Sequence, residues 1–245
     1  MFKKKVVFIS GSSSGIGFGL AKLYKGKNYT VIINGRNQSK LKKSSSSLGN
    51  CHYIVGDMTK KNDVEKVVKN IKDKFKFIDL LICNQGNSDY EHNNLNFKFA
   101  FENNFFSTIN LITVSKKILK KNNSKVICIS SICGSEVIAG APIGYSLAKS
   151  ALNSYIKIYS RELAKDGITI NGIVPGNILF EGSTWQKKLK KNLFKTKKYI
   201  KENVPMNKFG NVENIFLMCR SISEDPSNYL TGSLFTIDGG QTKNF

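Results

Sequence analysis

Tyr145 and Lys149 stand four residues apart in Tyr145-Ser146-Leu147-Ala148-Lys149. On a helix, positions i and i+4 share a face. A phenol ordinarily ionises near pH ~10, too high for ready proton transfer at neutral pH. A neighbouring ammonium favours the phenolate and lowers that pKa by roughly 1–3 units. The pair therefore has the makings of a general acid/base. Ser130 and Ser131 end the apolar run 126–129. In an open α/β sheet, ligands bind beyond the carboxyl ends of the strands. Either hydroxyl could donate there to a carbonyl oxygen.

A second cluster suits phosphate. Ser10-Gly11-Ser12-Ser13-Ser14-Gly15-Ile16-Gly17 follows an apolar run and opens a helical pattern. Glycines let the backbone turn tightly and approach a pyrophosphate. The helix N-terminus adds free N–H groups and the positive end of its dipole. The spacing is G-x-x-x-G-x-G; the common G-x-G-x-x-G is absent because position 20 is Leu. The next strand ends in Asn34-Gly35-Arg36-Asn37. In dinucleotide folds an acid at this point binds the ribose 2′-hydroxyl, whereas Arg accommodates a 2′-phosphate. Gly35 occupies the acid's place and Arg36 follows, so NADP(H) is favoured, with NAD(H) the alternative.

These groups need a scaffold. Short apolar runs at 6–9, 30–33, 53–55, 78–83, 126–129, 168–174 and 234–237 read as strands. Helical patterns lie between them, from Gly15 toward Gly26 and near 60–75, 96–121, 143–165 and 211–223; the serines 44–47 read as a helix end or a loop. Strands alternating with helices indicate βαβ units. The expected fold is α/β: one Rossmann-like, doubly wound domain over 1–245, with a parallel sheet of about seven strands and helices on both faces. The stretch 184–202 stands apart. It carries eight lysines around Trp185, Leu189, Leu193, Phe194, Tyr199 and Ile200, an amphipathic insertion before the last helix. The helix 146–163 is apolar nearly all round, which requires both faces to be covered. One face meets the sheet, and the other is expected to meet a second subunit.

Composition narrows the class. Lys and Arg number 38 against 17 Asp and Glu, a formal charge of +21. The basic residues are scattered and no nucleic-acid motif is present, so nucleic acid is not an expected partner. Five cysteines, with no Cys-x-x-Cys, argue against a zinc site or a disulfide framework. Met1-Phe2-Lys3-Lys4-Lys5 and the run after it imitate a signal peptide. That run has four apolar residues, and a signal core needs about 7–15. The chain is expected to be cytoplasmic, without a membrane span or metal.

With these motifs in hand, the chain resembles the short-chain dehydrogenase/reductase family, of the 3-oxoacyl-[acyl-carrier-protein] reductase type. The likeness runs from Val6 to about Gly240. Ser10 stands where the family usually has Thr. Asp57-Met58 resembles its adenine-binding Asp and the residue after it. Asn84 and Gly86 match its Asn-Asn-Ala-Gly, from which Cys83 and Gln85 depart. Asn104, with Asn103 beside it, matches its helix asparagine. Pro175-Gly176-Asn177-Ile178 resembles the segment beside the nicotinamide. The later Thr that binds the carboxamide corresponds to Phe180, with Ser183 and Thr184 following. Tyr229-Leu230-Thr231-Gly232 and Asp238-Gly239-Gly240 resemble its closing strand and turn.

The resemblance implies a catalytic set of Ser131, Tyr145, Lys149 and Asn104. Ser131 precedes Tyr145 by one position more than the commonest family spacing. Lys149 would also bind the nicotinamide ribose, and Asn104 would hold a water linking Lys149 to solvent. The implied cofactor contacts are Gly11, Ser13, Ser14, Gly15, Ile16, Gly17, Arg36, Asp57, Met58, Asn84, Gly86, Tyr145, Lys149, Pro175, Gly176 and Ile178. The implied activity is hydride transfer between a nicotinamide and a carbonyl or secondary alcohol, such as a 3-oxoacyl thioester or a sugar. A dinucleotide-binding regulator without catalysis is the alternative. The region 180–205 would be a substrate lid, its lysines suited to an anionic substrate. A homotetramer, or at least a dimer, is implied.

Overall fold

The computed structural model describes residues 4–27 and 29–243; Met1, Phe2 and Lys3 of the signal-like start lie outside them. In chain order it has β1 (Lys5–Ile9), α1 (Gly15–Lys25), β2 (Tyr29–Gly35), α2 (Gln38–Ser47), β3 (His52–Val55), α3 (Lys61–Phe75), β4 (Leu80–Cys83), α4 (Tyr90–Asn93) and α5 (Phe97–Phe101). There follow a π-helical turn (Glu102–Phe106), α6 (Ser107–Ser115), β5 (Lys125–Ile129), α7 (Ile143–Ala164), β6 (Thr169–Pro175), α8 (Thr184–Lys191), α9 (Leu193–Asn203), α10 (Val212–Glu224) and β7 (Leu234–Ile237).

The strands form one sheet of order β3-β2-β1-β4-β5-β6-β7, and every neighbouring pair is parallel. Strand side chains alternate between the two faces, and this alternation builds two cores. On β1, Val6 and Phe8 join Val64, Val67, Val68 and Ile71 of α3. Val7 and Ile9 face the other way and meet Leu20, Ala21 and Tyr24 of α1 and Ile215 and Phe216 of α10. The β4 and β5 strands divide in the same way. The chain winds outward through β1, β2 and β3, then crosses back to place β4 beside β1. A crevice must open at that reversal, beyond the carboxyl ends of β1 and β4.

Residues 44–47 end a helix, α2, one of the two readings of these serines. Two departures from the sequence reading stand out. The single helix expected over 96–121 is broken into α5, the π-turn, α6 and a 3-10 turn at Lys116–Ile118. Ile78 pairs only in an isolated bridge with Leu119, so β4 begins at Leu80. On α7, Ile143, Leu147 and Ile158 remain exposed while Ala148, Leu152 and Ile156 are buried, so the chain itself covers one face only. Among the described residues, no helix is long and apolar enough to cross a membrane, and no group of His, Cys, Asp and Glu is placed to hold a metal.

Asp79 ties the first strand into the sheet. Its Oδ2 accepts from the Val6 amide at 2.7 Å, and Lys120 pairs with its Oδ1. Asp79→Ala would strand a buried N–H, at a cost of about 1–3 kcal/mol. Urea unfolding should show a lower midpoint with an unchanged m-value.

Candidate active site

The crevice at the strand reversal is a cleft of about 610 Å³. One wall is the turn between β1 and α1. Gly11 has φ +58°, and a Cβ there would come within 2.8 Å of Gln85 Cα. Asn84 holds this turn to β4, its Nδ2 donating to the Gly11 carbonyl at 2.9 Å. Ser14 gives α1 no side-chain cap, and the first turn of α1 carries no acid. The amides of that turn therefore remain available to an anion. Glycines that let the backbone approach, uncapped amides and a polar cleft wall fit a dinucleotide pyrophosphate.

Gly11, Ser13, Ser14, Gly15, Ile16, Arg36, Asp57, Met58, Asn84, Gly86, Ser131, Tyr145, Lys149, Pro175, Gly176 and Ile178 all line the cleft, as does Asn104. Gly17 does not. It is buried inside α1, where a Cβ would sit 2.4 Å from Asn84 Nδ2 and 2.7 Å from the Gly11 carbonyl. Its lack of a side chain lets helix and turn pack closely.

At the far end of the cleft Arg36 extends into solvent, with its Nη1 3.9 Å from Asp57 Oδ2. Asp57 Oδ1 accepts from the Thr59 amide and hydroxyl, which holds the carboxylate in place. Lys40, which the sequence reading overlooked, joins this group from α2. Its Nζ donates to Ser14 Oγ at 3.0 Å and it lines the same cleft. A Cβ at Gly35 would already lie 3.1 Å from Ser13 Oγ, so an acidic side chain there would be crowded.

At the other end, α7 docks against the carboxyl end of β5. Lys149 is buried and its Nζ donates to the Ile129 carbonyl at 2.8 Å. Ser130 Oγ donates to Asn153 Oδ1 at 2.6 Å, which turns that hydroxyl into the helix. Ser131 instead caps the turn Ile132–Gly134, and its hydroxyl lies against Tyr145, favouring the ionised phenol. The geometry thus separates the two serines. Gly86 lets the remaining groups meet: a Cβ there would lie 2.9 Å from Asn104 Oδ1 and 3.6 Å from Lys149 Nζ. Asn104 is fully buried in the π-turn. Its Nδ2 donates to Asn93 Oδ1 and the Ala100 carbonyl, and its Oδ1 accepts from the Asn87 amide. Asn103 turns back to the Phe99 carbonyl of its own helix.

Both ionisable groups feel desolvation most strongly. Burial pushes the Tyr145 phenol well above its ordinary range, Cys133 adds to the rise, and Ser131 opposes it. Burial lowers Lys149 to about 8. The Lys149 Nζ stands 5.8 Å from the Tyr145 ring centroid. Burial is the largest influence on both groups and opposes the charge on each.

Phe180, at the position of the family's carboxamide-binding Thr, lies against Gly15: a Cβ there would meet its ring at 3.1 Å. Ser183 Oγ is engaged in capping α8 by accepting from the Gln186 amide. Thr184, Trp185 and Lys187 bring α8 to the cleft edge.

A family model described as enoyl-(acyl carrier protein) reductase matches residues 11–242. The chain belongs to the short-chain dehydrogenase/reductase family. It is 30% identical to 3-oxoacyl-[acyl-carrier-protein] reductase FabG of Rickettsia typhi, over 98% of this chain and 97% of that one. It is 29% identical to an uncharacterized oxidoreductase of Thermotoga maritima, over 98% of each. L-sorbose reductase of Gluconobacter frateurii, solved with NADPH and L-sorbose, superposes with a TM-score of 0.85 at 25% identity, covering 99% of this chain and 98% of that one.

Two results follow from the site. Folding moves Lys149 from its ordinary 10.5 to about 8. A depressed base destabilises the fold fully below the lower value and ceases to do so as pH rises past the higher one. Wild-type stability relative to Lys149→Met should therefore climb between about pH 8 and 10.5 in paired urea titrations. Separately, Arg36→Ala and Lys40→Ala should each weaken NADPH binding about tenfold, the loss of one charge-assisted hydrogen bond. Calorimetry should find NADH binding little changed.

Proposed function

We propose that this protein is an NADP(H)-preferring reductase that transfers hydride between the nicotinamide and a carbonyl or secondary alcohol, with NAD(H) as the weaker cofactor. The observation that carries the reading is the meeting of Ser131, Tyr145 and Lys149 at the carboxyl end of β5, in the same cleft as the pyrophosphate cradle. NADPH, when bound, supplies the hydride. The phosphates would rest on the turn Gly11 to Ile16. Arg36 and Lys40 would hold a 2′-phosphate, Asp57 and Met58 would flank the adenine, and Pro175, Gly176 and Ile178 would border the nicotinamide.

Ser131 would donate to the substrate carbonyl oxygen and polarise it. Tyr145 would give that oxygen its proton as hydride reaches carbon. At neutral pH an ordinary phenol is already in the protonated form that can donate, and the support it needs is for the phenolate it leaves. Lys149 would bind the ribose and support the phenolate left behind. Asn104, beside Lys149 across Gly86, would fix the route by which the proton is restored.

The relatives widen the substrate choice to 3-oxoacyl thioesters and keto-sugars. The protein would work in the cytoplasm as one domain with a lid at 180–205. The uncovered face of α7 suits a dimer or tetramer.

Tyr145→Phe keeps the ring and removes the proton. With acetoacetyl thioesters and keto-sugars as substrates, it should lose about 10²–10⁴-fold in NADPH oxidation while retaining wild-type circular dichroism. Undiminished turnover in this variant would refute the assignment. Tight NADPH binding without turnover on any carbonyl would favour the regulator.

A further inference from the structure

The hairpin α8–α9 carries Lys187, Lys188, Lys190, Lys191, Lys195, Lys197, Lys198 and Lys201, and its one acid, Glu202, pairs with Lys198. Lys188 differs from the others in its setting. Its Nζ lies 4.5 Å from the centroid of Trp185, and Trp185 lines the active-site cleft. The indole is held from behind by Tyr199, with centroids 5.3 Å apart, and by Phe209 at 5.5 Å. The Tyr199 hydroxyl accepts from Gln241 Nε2, and Gln241 Oε1 accepts from Asn177 Nδ2 at 2.6 Å. Asn177 follows Gly176 of the cleft wall. A continuous set of contacts therefore fixes the Trp185 platform relative to the site.

We propose that Lys188, seated on Trp185, is an anion-binding residue that selects carbonyl compounds bearing a carboxylate or phosphate a few bonds from the ketone. The inference rests on the reductase reading above. Among the described residues no carboxylate lies within ion-pair distance of Lys188. Lys188 is exposed, and partial burial of its ammonium lowers its pKa. The cation–π contact with Trp185 leaves the ammonium able to take an anion as a second partner. Lys187 and Trp185 of the same helix line the cleft that holds Tyr145, and Lys188 reaches that cleft's edge through its seat on the indole.

Trp185 is the chain's only tryptophan, so intrinsic fluorescence reports on this subsite directly. With the protein saturated in NADP+, acetoacetate and dihydroxyacetone phosphate should each change Trp185 emission saturably, and their neutral counterparts, ethyl acetoacetate and dihydroxyacetone, should not. Lys188→Gln should abolish the response and Lys188→Arg should retain it. With NADPH, the anionic member of a pair should have a KM about tenfold lower than the neutral one, equivalent to ~1.4 kcal/mol. In Lys188→Gln that ratio should fall toward one, the change lying in KM rather than kcat. A response to only one anion would identify which group the subsite takes. Equal responses to charged and neutral members, or an unchanged ratio in Lys188→Gln, would overturn the proposal. If no member oxidises NADPH, the reductase reading fails on these substrates, while the fluorescence titration still decides the anion subsite.

Discussion

Helix α7 is clamped onto the carboxyl end of β5, and the reactive groups depend on that clamp. Lys149 donates to the Ile129 carbonyl, Ser130 to Asn153, and Gly134 leaves space for the Lys149 backbone, since a Cβ there would stand 2.6 Å from it. These contacts place Ser131, at the end of a strand, beside Tyr145, on a helix whose start lies 12 residues later. The intervening residues absorb the one-residue excess over the usual family spacing. Sites built on rigid elements keep the tolerances that proton transfer demands.

The clamp has an electrostatic cost. An ammonium and a phenol sit together out of water, and burial opposes the charge on each. Burial favours the neutral phenol at Tyr145 and weakens the charge on Lys149. Such opposed shifts in a cleft mark functional sites. The phosphate end is built differently, from backbone amides, glycines and the exposed side chains Arg36 and Lys40. One end of the cleft is therefore charged and solvated, the other buried and protonic.

Much of this was legible in the sequence. Seven apolar runs separated by helical patterns led to the parallel sheet, because buried parallel strands read as short continuous hydrophobic stretches. Tyr145, Lys149 and the glycine turn were legible because their spacing carries the chemistry. What was missed depends on distance through space. Lys40 lies 26 positions from the serine it binds, and no local pattern joins them. The serines at 44–47 were legible as a helix end; that Ser44 Oγ donates to the Ser13 carbonyl as well as to Lys40 of its own helix, and so braces the turn, was not. The π-turn that buries Asn104 cannot be seen in a helical period. The motif marks Gly17 as a cofactor contact, and its close packing against Asn84 is a second role that only the structure shows.

Energy transfer from Trp185 to the reduced nicotinamide requires the dinucleotide to lie in this cleft. Titration with NADPH should give saturable transfer that NADP+ displaces, with NADH requiring clearly higher concentrations. Absence of transfer, or equal affinity for NADH and NADPH, would contradict the cofactor site described here.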